Sequence, residues 1–247
     1  MRIISRLDVK PPHVVKPVFF DGLRKMGSPV VLANKYFEEG ADEVIFIDIV
    51  ASLYRRDIQF DLIHEVSKGL FIPFGVGGGI KNVEDVKKLI HGGADKVIIN
   101  THAITHPKII SEIAELFGSQ ACTVHIQAKN WNEWYECYTD CGRNRSLVDV
   151  IDWAKQVEDL GAGEIILSAI DQDGYKHGFD LNLAEQVLDA VNIPVVIGSG
   201  AGSLDDILEV AQLAPSAIAI ASVLHYETLT VQKIKSYLQE NGIEVQI

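Results

Sequence analysis

Two short stretches of the chain end alike. RLDVK at 6–10 and VHIQAK at 124–129 each run from apolar residues towards a lysine, and the matching positions are Asp8 and Gln127. A carboxylate held at a strand end can take and give a proton if its surroundings tune it. An amide can only donate and accept hydrogen bonds near neutral pH. Asp48, Asp171 and Asp173 stand at the ends of other apolar runs and are open to the same use, or to capping helices and pairing with cations. Glycine-rich turns offer a second chemistry. GVGGGIKN (75–82) and GSGAGS (198–203) each lead from an apolar run into a helical pattern, and NTHA (100–103) and ASV (221–223) follow two further runs. Glycine lets backbone N–H groups approach an anion, and a helix N-terminus adds a favourable dipole. The same turns could serve only to reverse the chain. Lys16 could hold a phosphate or a substrate oxygen, or be solvated.

Such groups need elements that present them together. Eight apolar runs are spaced along the chain, near residue 2 and at 45–49, 72–76, 96–100, 122–126, 164–170, 193–198 and 217–222. Most lack in/out alternation, which is expected of parallel strands buried on both faces. Helical patterns separate them. NVEDVKKLIHGG (82–93) and SLDDILEVAQLA (203–214) open on Asn or Ser with acids in the first turn. Strand then helix, eight times over, predicts an α/β chain folded as a single (β/α)8 barrel over residues 1–247. A repeat sharpens this. IPFGVGGGIKNVEDVKKLI begins at 72 and IPVVIGSGAGSLDDILEVA at 193, an offset of 193 − 72 = 121, and two further segment pairs keep that offset. A duplicated half-barrel predicts two equivalent anion sites at the C-terminal strand ends.

Composition narrows the partners. A net charge of −12 disfavours nucleic acid and anionic membranes, which need clustered Lys and Arg. No apolar stretch is long enough to span a bilayer, and charges within MRIISRLDVK argue against a secretory leader. Cys122, Cys137 and Cys141 make no disulfide framework, so a reducing cytoplasm is expected. Neither a metal nor a cofactor is expected. Arg2, Glu43, Lys96 and Glu164 lie at the opposite, N-terminal ends of their runs. Two cations and two anions there could neutralise one another as a ring closing the bottom of the barrel, because an unpaired buried charge costs several kcal/mol.

Taken together, LDVK (7–10), FIDIVAS (46–52), VGGGI (76–80), GGADKVIIN (92–100), FGSQA (117–121), GAGEI (161–165), IDQDG (170–174) and the ASV turn closely resemble the cyclase subunit of imidazole glycerol phosphate synthase, over nearly the whole chain. The resemblance implies a heterodimer with a glutaminase subunit docked on the bottom face near Asp95, and ammonia passing through the barrel to a substrate carrying two phosphates. It implies an ammonia gate at Arg2, Glu43, Lys96 and Glu164, and a catalytic aspartate at Asp8. It puts one phosphate at Gly79, Asn100 and Thr101, and the other at Gly174, Gly200, Ala221 and Ser222, with Ser199 in the same turn. Lys16 falls on a lysine of the mobile first loop, and Asp48 and Asp171 on the substrate rim.

This chain departs from that pattern at its top. The family's second catalytic aspartate falls on Gln127. Pro11-Pro12 follow LDVK where the family has Asp-Gly, and Arg6 stands in place of a small residue. Arg143 and Arg145 are suited to an anion. Retained bottom and altered top are expected of a paralogue that supplies ammonia to a sugar amidotransferase for amidination of a surface sugar. The alternatives are a genuine cyclase subunit of histidine biosynthesis, and a non-catalytic scaffold or regulator of a glutaminase.

Overall fold

The apolar runs are rich in Val and Ile, which pack well on a pleated surface, and they form strands. The computed structural model describes residues 1–54, 56–132 and 134–246. In chain order the strands are β1 (Arg2–Lys10), β2 (His13–Val18), β3 (Asp21–Gly27), β4 (Glu43–Asp48), β5 (Phe74–Gly77), β6 (Lys96–Ile99), β7 (Cys122–Asn130), β8 (Tyr135–Thr139), β9 (Asn144–Asp149), β10 (Glu164–Ala169), β11 (Val195–Gly198) and β12 (Ala217–Ile220). Eight of them run parallel in the order β1-β4-β5-β6-β7, then β10-β11-β12 and back to β1. The chain is a closed (β/α)8 barrel. Helices cover it, and Asn82 and Ser203 cap two of them, with a full capping box between Ser203 and Asp206.

Successive residues of a strand face opposite sides, so each barrel strand feeds two cores. Ile3, Leu7, Val44, Phe46, Phe74, Val97, Val124 and Ile165 pack outward against the helices. Burying each such side chain contributes about 1.5–3 kcal/mol over leaving it exposed. The interior is layered along the axis. At the bottom, Arg2 pairs with Glu43 at 2.7 Å and Glu164 at 2.5 Å, and Lys96 pairs with the same two acids at 2.7 and 2.5 Å. The charges alternate round a closed ring, and its two acids are 164 − 43 = 121 residues apart, the offset of the repeat. Above it lies an apolar layer of Ile4, Ile45, Ile98, Ile166 and Val196. Arg6, His125 and Ser168 form the next layer, and Asp8 and Gln127 the one above that.

Two hairpins rise from the barrel mouth. Pro11 and Pro12 form the tight turn between β1 and β2, with Val9 paired to Val14 and Lys10 to His13, so β1 continues into the β2–β3 hairpin. The stretch after LDVK is therefore regular structure, where the sequence suggested a loop. The second hairpin, β8–β9, extends β7, pairing Gln127 with Tyr138. Its buried Glu136 accepts from Arg145 Nε at 2.9 Å and from the Leu147 N–H at 2.9 Å.

Candidate functional site

The mouth holds two cavities of very different size. The first, about 410 Å³, is lined by Asp48, Gly79, Asn100, Thr101, His125, Gln127 and Cys141, among others. The second, about 20 Å³, is lined by Arg6, Lys16, Asp173, Gly174, Ser199, Gly200, Ala201, Ala221 and Ser222. The candidate phosphate residues thus gather into two half-sites, on the β5–β6 and the β10–β12 sides. Asn100 donates to the carbonyls of His125 at 2.9 Å and Tyr138 at 3.0 Å, which fixes the turn after β6 to β7 and β8. Thr101 Oγ1 accepts the Asp140 N–H at 2.9 Å. Gly79 has a φ of 75° and its Cα faces Ala51, so any side chain there would be both strained and crowded.

Asp8 lines neither cavity and is 1% exposed. Arg6 Nε donates to it at 2.9 Å, and Lys16 Nζ stands 3.7 Å away. Burial opposes ionisation, but the two cations outweigh it and hold the carboxyl below its ordinary range. Gln127 does face the first cavity. Its Oε1 accepts the Gly142 N–H at 2.7 Å and its Nε2 lies 3.5 Å from His125 Nδ1. Burial, reinforced by the Arg6 charge, pushes the His125 imidazole well below its usual range, so it is neutral. The Asp48 carboxyl is raised by burial, although the Val50 N–H and Arg56 pull the other way.

Arg6 and His125 were not expected to meet. β1 and β7 are four strands apart in either direction round an eight-stranded barrel, so they face each other across its diameter. Arg6 Nη1 reaches Ser168 Oγ at 2.9 Å and lies 3.4 Å from His125 Nε2. The guanidinium therefore bridges the lumen, between the apolar layer and the mouth. The signal was present in the sequence, since Arg6 and His125 each lie two residues before Asp8 and Gln127 and share their faces.

Other candidates are placed differently from the sequence expectation. Lys16 is not at the open rim; it lies in β2, 3% exposed, and donates to Asp173 at 2.9 Å. Asp171 lines neither cavity, because it pairs with Lys129 and accepts the Asn130 N–H at 3.0 Å. Arg145 is spent on Glu136 and the Trp131 ring, 4.5 Å from its centroid. Cys141 borders the first cavity, and burial pushes its thiol up to about 12. Cys137 is buried against the Asp149 carbonyl. His225 stacks on Tyr36 behind the second half-site and bonds its hydroxyl at 2.7 Å.

Comparison with known proteins gives one consistent result. A family model described as "Histidine biosynthesis protein" matches residues 2–230. A protein of Pyrococcus furiosus named "Imidazole glycerol phosphate synthase subunit HisF" is 47% identical over 247 residues, covering 100% of this chain and 98% of the relative. Proteins of the same name from Thermococcus onnurineus and Petrotoga mobilis are 44% and 43% identical, with the same coverage of both chains.

Proposed function

The chain belongs to the histidine biosynthesis protein family, and from that premise we propose that it is an ammonia-using, cyclase-type barrel subunit of an imidazole glycerol phosphate synthase pair that has lost most of its own ring-forming chemistry. Its partner on this proposal is a glutaminase subunit, docked on the N-terminal strand-end face where Arg2, Glu43, Lys96 and Glu164 form their ring. The relatives' name supports the enzyme class, and the full-length match supports retention of the whole barrel.

One observation carries the loss of chemistry. The two strand-end groups that should exchange protons with a substrate are both committed elsewhere. Asp8 is sealed beneath the mouth by Arg6 and Lys16. Gln127 faces the cavity but is an amide bound to Gly142. A positioned general acid or base is typically worth about 10²–10⁴-fold in rate. The ammonia then serves another acceptor, and amidination of a surface sugar by a third enzyme is the use that fits a barrel kept intact but chemically weakened. An ordinary cyclase subunit of histidine biosynthesis is the second reading, favoured by the 47% identity over the full chain.

The test is ammonium-dependent turnover of the pathway nucleotide by wild type and Gln127→Asp. The expectation is a wild-type rate at least about 10²-fold below the variant. A wild-type rate of about 1 s⁻¹ or more, typical of enzymes, would favour the second reading.

A further inference from the structure

The two half-sites descend from one repeat, yet only the first is open. We propose that the ligand of this mouth carries a single anionic group, seated at Gly79, Asn100 and Thr101, because the second half-site is filled by the chain's own Asp173 carboxylate. This deepens the cyclase-type reading by naming a substrate class, a monoanionic-group ligand such as a sugar monophosphate, in place of the two-phosphate ligand that the repeat implies.

Asp173 collects the donors a bound anion would use. Its Oδ1 accepts from Lys16 Nζ at 2.9 Å and from Ser199 Oγ at 3.3 Å, and its Oδ2 accepts the Phe20 N–H at 3.4 Å. Ser199 adopts a φ of 72°, a left-handed conformation uncommon for a residue with a side chain. The cations of this half-site are already balanced, since Arg6 and Lys16 face Asp8 and Asp173. A second phosphate would bring excess negative charge into a buried, neutral cluster, where uncompensated charge is costly.

Space gives the same answer. A volume of about 20 Å³ is close to the minimum for one water molecule, roughly 10–15 Å³. The β2–β3 hairpin is the lid. Phe19 N–H donates to the Asp173 carbonyl at 2.7 Å, and a Cβ on Gly174 would meet the Pro17 carbonyl at 2.6 Å and Val18 Cα at 3.0 Å. Those contacts are backbone atoms, so a ligand could enter only if the hairpin lifted and Lys16 left both acids. The first half-site carries no comparable lid, and its cavity is about twenty times larger.

Calorimetric titration of the full chain with a hexose monophosphate, the matching bisphosphate and inorganic phosphate tests this. One phosphate per chain is expected, with the two sugars binding within about threefold of each other, since tenfold corresponds to about 1.4 kcal/mol. Thr101→Val should weaken both sugars alike. Asp173→Asn, which removes the resident anion and frees Lys16, should create a preference for the bisphosphate of about tenfold or more. A wild-type preference of that size, or phosphate at Gly174 and Gly200 in a soaked crystal, overturns the proposal. So does an absence of binding by all three probes. Ammonium-dependent turnover is measured separately, so a weak cyclase that binds one anion leaves the class reading and this proposal distinguishable.

Discussion

At the scale of single residues, the mouth is governed by which partner each charged group has found. Asp8 looked like a free strand-end acid in sequence, because nothing in LDVK reveals that Lys16 folds back over it. Arg6 was visible as a departure, but its reach to Ser168 and His125 depends on a strand met more than a hundred residues later. His125 and His225 are both held neutral by burial, with Arg6 acting on the first and Lys16 on the second, and the His225 imidazole is lowered to about 4. A histidine whose folded pKa is depressed contributes stability above its unfolded value, and that stability is lost as pH falls from about 6.5 through about 4. The free energy of urea unfolding should therefore drop between neutral and mildly acid pH. His225→Gln should flatten that drop over the same window; an unchanged slope would mean that the carboxylates alone set it.

At the scale of elements, the eight barrel strands and the caps at Asn82 and Ser203 were legible, because apolar runs, Gly-rich turns and helix caps are local signals. The β2–β3 hairpin was not. HVVKPV and DGLRKMG lack a strong strand signature, and their pairing is imposed by continuation from β1 through the Pro11-Pro12 turn. The hairpin's position over the second half-site rests on Gly174, whose φ of 69° and contact with Pro17 leave no room for a methyl group. Gly174→Ala should cost about 1–3 kcal/mol in strain and displaced contacts. It should also raise the rate of limited proteolysis within residues 13–27 while leaving the helical circular dichroism unchanged. Cleavage at the wild-type rate would show that the hairpin is anchored elsewhere.

At the scale of the whole molecule, the barrel axis is closed twice, once by the bottom ring and again by Arg6 below the mouth. If ammonia enters through the ring, Arg6 must release His125 and Ser168 for it to emerge. With a glutaminase partner, isotope-labelled amide glutamine and unlabelled ammonium supplied together, Arg6→Ala in a Gln127→Asp background should raise the labelled share of the product severalfold over Gln127→Asp alone. The share is read as a ratio, so a change in Asp8 that slows both nitrogen sources alike does not move it. An unchanged share would place the limiting barrier at the ring. The sequence by itself determined the barrel, its internal duplication, the residues of the bottom ring and the loss of the second strand-end acid, since each is written in periodicity, repeat offset or residue type. Only the tertiary structure decided that the repeated half-sites are unequal and that the lumen is bridged. Both depend on side chains meeting across the barrel, where Lys16 and Asp173 are 157 residues apart and Arg6 and Ser168 are 162 apart, and no local pattern encodes which distant charge a buried group will find.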